Sequence, residues 1–122
     1  MRISLDEKSS VPIYVQLVRQ IKWEIVTGHL GEGEPVSSVR QLALDLRVNP
    51  NTIVKAYNEL EHEGILVSRH GKGTFVASGA RRRVDSGREQ VQTLMEQAVR
   101  MGREAGLNPD DISDMLKELL RR

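Results

Sequence analysis

Cysteine is absent from the 122 residues, so disulfides and thiolate metal sites are excluded. No apolar run approaches the ~20 residues needed to span a bilayer. Met1-Arg2-Ile3 does not lead into a signal-peptide core, and a cytoplasmic protein with no membrane partner is the simplest expectation. Charge of one sign is not in excess either. Eighteen basic residues face 17 acidic ones for a net charge of +1, so global charge gives no argument for a polyanionic partner. Internal repeats and low-complexity tracts are missing. No phosphate-cradling loop precedes a lysine, there is no nucleophile motif, and His29, His62 and His70 lack ligand spacing. Asp110, Asp111 and Asp114 resemble a metal cluster only in composition; they occupy the first turn of an expected helix, where acids favour the helix dipole. Catalytic residues, metal ligands and cofactors are therefore not expected.

What remains is organised around Val36–Ala77. Val39, Leu42, Ala43 and Leu46 follow the i, i+3, i+4, i+7 spacing of one buried helical stripe. Ser38 and Gln41 have the spacing of a capping box at its start. After a turn at Arg47-Val48, Asn49 suits an N-cap and Pro50 the first helical position, where a missing N–H costs nothing. The second helix is expected to run to Glu63, burying Ile53, Ala56, Tyr57 and Leu60, with Gly64 as its stop. Two further apolar-rich runs, Ile65–Arg69 and Thr74–Ala77, flank His70-Gly71-Lys72-Gly73, which predicts a hairpin with a glycine-dependent tip. Helix, turn, helix and hairpin together read as a winged helix-turn-helix.

The flanks read as support. Ser10-Val11-Pro12 starts a helix continuing to about Thr27, with Tyr14, Leu17, Val18, Ile21 and Ile25 facing inward and Gly28 as the stop. Residues 1–9 are expected to be loosely held, and the single tryptophan, Trp23, is expected in core or subunit packing. Gly31–Pro35 reads as a loop and Ser78-Gly79-Ala80 as a hinge. From about Val84 the pattern returns to helix, with Val91, Leu94, Ala98, Met101 and Ala105 forming a seam about two heptads long, ended by Gly106. Asn108-Pro109 starts a last helix carrying Ile112, Met115, Leu116, Leu119 and Leu120 on one side. The expected architecture is mostly α with a small β-hairpin: a winged helix-turn-helix over 1–78, then a two-helix dimerisation region over 79–122. A chain this small buries only roughly 60–70% of its unfolded surface. The apolar stripes of the last two helices are also wider than the pair alone can cover. A second subunit through Val91, Leu94, Ala98, Met101, Ile112, Met115, Leu116 and Leu119 is the natural cover; the alternative is that the hairpin folds back on its own winged domain.

The same motifs carry a resemblance. Ser38-Val39-Arg40-Gln41-Leu42-Ala43, Val48-Asn49-Pro50-Asn51-Thr52-Ile53, Ala56-Tyr57-Asn58-Glu59-Leu60-Glu61, Glu63-Gly64-Ile65-Leu66 and Gly71-Lys72-Gly73-Thr74-Phe75-Val76 resemble the DNA-binding signature of GntR-type bacterial transcription regulators. The Asn-Pro-Asn-Thr version and the short tail are similar to the YtrA-like subfamily. The resemblance implies a sequence-specific regulator, expected to be a repressor, that binds double-stranded DNA as a homodimer over a pseudo-palindromic operator. It also implies that Arg40 reaches DNA from the first helix of the motif and that the wing tip, His70, Gly71, Lys72 and Gly73, approaches the minor groove.

Physical chemistry adds detail. In a helix-turn-helix the second helix enters the major groove by its N-terminal residues. With Ile53, Ala56 and Leu60 inward, Asn51, Thr52, Lys55 and Asn58 fall outward. Asn51 either reads adenine bidentately or tightens the cap or meets a phosphate. Thr52 touches a phosphate or thymine methyl, or completes the cap. Lys55 suits phosphate better than a base. Free N–H groups at the helix start suit a phosphate too. Ser38 and Asn49 at the helix starts, and Thr74 beside the wing, complete the candidate set. From Gly64 to Val84 there is no acid, yet Arg69, Lys72, Arg81, Arg82 and Arg83 lie there, which reads as a basic patch at the wing and its exit or as a solvated linker. That stretch argues against a winged module that binds protein. The resemblance is incomplete here: GntR-type proteins often carry arginines where this chain has Pro50 and Val54, so the guanine contacts and operator sequence it would imply do not transfer. About forty residues after the wing leave no enclosed pocket in one subunit; a small-molecule effector could bind at the dimer interface or between the hairpin and the winged domain, and its chemistry is not legible.

Overall fold

In the computed structural model, which describes all 122 residues, steps of three and four between Leu17, Val18, Ile21 and Ile25 give a first helix, α1 (Ile13–Val26), with those four side chains buried. Two further helices complete the core: α2 (Val39–Leu46) and α3 (Pro50–His62). α3 lies at the centre, packed against both others, and buries Ile53, Ala56, Tyr57 and Leu60. A salt bridge of 2.9 Å from Lys22 to Glu63 fastens α1 to the end of α3. Strands β1 (Leu66–Arg69) and β2 (Gly73–Val76) pair antiparallel, Leu66 opposite Val76 and Arg69 opposite Gly73. Leu66 and Val76 point into the core, which seats the base of the wing.

Several expectations are corrected. Gly31–Pro35 is not a free loop: the Val36 amide donates to Thr74 O (2.9 Å), Val76 to Glu34 O (2.9 Å) and Gly33 to Val76 O (2.8 Å). Residues 33–36 thus lie along the second edge of β2, with Pro35 bridged to Phe75. Residues 1–9 are tied down rather than loose, because the side chains of Gln16 and Gln20 on α1 exchange hydrogen bonds with the backbone of Asp6 and Ser4. Ile3 and Leu5 pack against the core from this segment. Of the two places expected for Trp23, the core is excluded, since it is 58% exposed and the buried stripe of α1 passes on its other side.

The expected hinge at Ser78-Gly79-Ala80 is a tight turn. Gly79 takes φ +80°, and the long helix α4 (Ala80–Glu104) starts at once, four residues before Val84. Ala80 and Val84 are buried in the winged core, so packing divides the chain into Met1–Asp85 and Ser86–Arg122, beyond the expected boundary at residue 78.

The second unit holds the rest of α4 and α5 (Pro109–Leu120). Gly106 at φ +84° ends α4, as its position foretold, and the Leu107 amide closes on Gly102 O (2.9 Å). Asn108 and Asp111 then form a reciprocal capping box, 2.9 and 3.0 Å. The contact inside this hairpin is narrow. Gly102 is buried against Ile112, so close that an added Cβ would stand 2.8 Å from Cδ1. Val99 and Leu107 are half-buried beside it. Ile112, expected at a subunit contact, is thus already engaged within the hairpin. The other expected dimerisation residues, Val91, Leu94, Ala98, Met101, Met115, Leu116 and Leu119, are exposed, Met101 by 67%. No residue of α5 is buried. No helix is long and apolar enough to cross a membrane.

Candidate nucleic-acid interface

Three local devices shape the motif. Ser38 caps α2, its hydroxyl accepting from the Gln41 amide at 3.1 Å, but the expected box is only half made. The Gln41 side chain turns forward to Asp45 (2.7 Å) instead of back to the cap. The Val39 and Arg40 amides meet no carbonyl of the chain, so the α2 start keeps open donors. Next, Arg47 closes α2 in the left-handed region, φ 57°, the one non-glycine residue there. The chain then reverses into Asn49, whose Oδ1 accepts from the Asn51 amide at 2.8 Å, with Pro50 in the first turn.

That cap corrects the expectation of free N–H groups at the start of α3. Pro50 has none, the Asn51 amide is taken by the Asn49 side chain and the Thr52 amide by Asn49 O (2.9 Å). An anion at this end would meet side chains and the helix dipole rather than open amides. The capping role also falls to Asn49 alone. The Asn51 side chain is exposed and makes no hydrogen bond. Thr52 is half-buried beside it. Lys55 is exposed and unpaired with any carboxylate; its Nζ lies 3.9 Å from the centroid of the Tyr14 ring. Arg40 is exposed on α2.

At the wing, the Lys72 amide donates to Arg69 O (2.9 Å) and Gly71 and Gly73 take φ +74° and +110°, conformations a side chain would strain. His70, Gly71, Lys72 and Gly73 are all exposed. Thr74 is half-buried, its hydroxyl 3.3 Å from Ser68 Oγ, which also donates to Glu61; this leaves Thr74 less open than the tip. Arg69 lies over the Phe75 ring at 5.1 Å.

The basic run is divided between two elements: Arg69 and Lys72 belong to the wing, whereas Arg81–Arg83 lie in the first turn of α4. Arg83 is neither linker nor open cation: its guanidinium donates to Gly64 O (2.8 Å) and Ser78 O (3.2 Å), clamping the turn after α3 to the exit of the wing.

One organising residue escaped the sequence reading. Tyr57, expected only as core, donates its hydroxyl to Ser37 O at 2.7 Å and so fixes the approach to α2 against α3. Burial pushes this hydroxyl far above the ordinary phenol range. Its signal was a polar-tipped ring inside an apolar stripe.

Comparison with known proteins agrees with this geometry. Residues 13–76 match the family described as bacterial regulatory proteins, gntR family. The chain is 34% identical over 118 residues to the HTH-type transcriptional repressor YtrA of Bacillus subtilis, covering 96% of this chain and 91% of that protein. It superposes on a GntR family transcriptional regulator from Listeria monocytogenes with a TM-score of 0.65 at 36% identity, over 93% of this chain and 98% of the other. The DNA-binding domain of AraR, solved in complex with operator ORX1, aligns at TM-score 0.56 and 29% identity over 63% of this chain and 96% of that domain. The match spans α1 to the wing and extends over nearly the whole of its short relatives: the chain belongs to the GntR family and is a DNA-binding transcription regulator similar to YtrA.

Proposed function

We propose that the chain acts as a homodimeric repressor in the cytoplasm. The amino end of α3 enters the major groove of a pseudo-palindromic operator, and the wing tip enters the adjacent minor groove. Two recognition helices held about one DNA turn apart, ~34 Å, would set the half-site spacing. Bound across a promoter, the dimer would exclude polymerase. One observation carries the reading: the Asn49 cap leaves the side chains of Asn51 and Lys55 outward at the start of α3, free of the hydrogen bonds and ion pairs that would hold them to the protein.

Roles follow from chemistry. Asn51 has the amide geometry that pairs with adenine N6 and N7. Lys55, Arg40, Thr52 and the open amides of Val39 and Arg40 would neutralise or anchor phosphates. His70 and Lys72 supply donors beside glycines that permit close backbone approach in a narrow groove. The apolar stripes of Val91, Leu94, Ala98, Met101, Met115, Leu116 and Leu119 would be covered by a second copy. A small-molecule effector, if the protein uses one, fits best at that contact.

Selection from random DNA should recover inverted half-sites, and gel shifts at fixed salt should give a dimer-sized complex. A complex that is monomeric and indifferent to sequence would sink the reading. Lys55→Met and Lys72→Met are each expected to flatten the salt slope of log K by about one unit.

A further inference from the structure

We propose that Tyr14 is a positioning residue for the recognition helix, holding the Lys55 ammonium over its ring so that the lysine meets DNA already oriented. The inference rests on the reading of Lys55 as a phosphate contact. Lys55 has an obvious competing partner: Glu59 lies four residues on, the spacing at which helical side chains meet. Lysine before glutamate is the weaker order for such a pair. No ion pair forms between them, and the Lys55 Nζ stands instead 3.9 Å from the Tyr14 centroid. α1 and α3 are packed together, so the ring is delivered by a rigid neighbour rather than by a loop. The Tyr14 hydroxyl makes no hydrogen bond of its own, which leaves the ring face as its contribution.

The physics favours a gain in binding. A lysine stem that becomes ordered on a phosphate loses rotamer freedom, and a restraint already present in the free protein reduces that loss. A ring face attracts the ammonium without neutralising it, so the full charge remains available to displace a counterion. A carboxylate at Glu59 would instead have to be given up at the moment of binding.

Two measurements on the full-length protein test this. In the free protein, proton NMR of the Lys55 side-chain methylenes should show an upfield ring-current shift that survives Tyr14→Phe and disappears in Tyr14→Leu. In titrations against the selected operator at several salt concentrations, Tyr14→Phe should bind within about two-fold of the parent. Tyr14→Leu should weaken binding by about two- to five-fold, the lower part of the ordering cost of one long side chain, with the salt slope unchanged. In a Lys55→Met background, Tyr14→Leu should have no further effect. Tyr14→Met, of similar bulk, repeats the test should the leucine variant fold poorly. A Tyr14→Phe loss equal to that of Tyr14→Leu would overturn the proposal, since the hydroxyl itself would then be touching DNA. Persistence of the loss in the Lys55→Met background overturns it through Tyr14. Lys55→Met with unchanged affinity and slope overturns it through the DNA role of the lysine.

Discussion

Tyr57 links the two helices of the motif through a single hydroxyl, and its environment gives a pH prediction. The folded state holds this proton because burial disfavours the phenolate. Up to pH ~10 both states keep the proton; above it the unfolded chain releases its own while the folded one does not. Stability contributed here is therefore complete below pH ~10 and falls as pH rises, by at most about 1.4 kcal/mol per unit. Tyr57→Phe should cost about 1 kcal/mol at neutral pH, since Ser37 O loses its donor. It should also remove this component of the alkaline decline, as urea midpoints at pH 8 and 11 would reveal. Arg47 offers the opposite case. At φ 57° it bears a strain of about 1–2 kcal/mol, against roughly 0.4–1 kcal/mol that glycine adds through unfolded-chain freedom. Arg47→Gly should raise the midpoint slightly; a fall would mean that the arginine side chain makes a compensating contact.

Among the elements, α3 depends on its cap. Asn49→Ala should lose about 1 kcal/mol of stability, and thermal melts of the same variant should run parallel to its gel shifts. The α4–α5 hairpin depends on the absence of a side chain. Gly102→Ala places a Cβ against the flexible end of Ile112, while alanine in a helix interior returns about 1 kcal/mol, so the two effects should nearly cancel. Gly102→Val has no such offset and should cost about 1–3 kcal/mol, read as selective loss of amide protection in α5.

The contrast shows which parts were legible. Caps, stops and stripes are local, and Asn49-Pro50, Gly64, Gly106 and the Ile53–Leu60 stripe could be read from spacing alone. Contacts between distant segments could not. Nothing in Gly31–Pro35 announces that it pairs with a strand forty residues on, nor does Arg81–Arg83 say that one of three adjacent arginines is consumed by Gly64 O. The same limit applies to the site: exposure of Asn51 was readable from periodicity, whereas the Tyr14 ring under Lys55 required the packing of α1 on α3.

At the scale of the whole molecule, Met1–Asp85 has its own core, and Ser86–Arg122 has almost none. A chain ending at Asp85 should therefore melt cooperatively and as a monomer. The full chain, if its apolar stripes are covered by a second copy, should show a melting temperature that rises with protein concentration. Sedimentation of the two, side by side, checks both statements. The stitching of residues 33–36 onto β2 carries a final implication. The finger shares its backbone bonds with the strip that leads into Ser38, so neither can tilt alone without breaking several amide links. Any change that lowers DNA affinity through this part of the chain would have to displace the reading head as one piece, because it is braced against being bent from within.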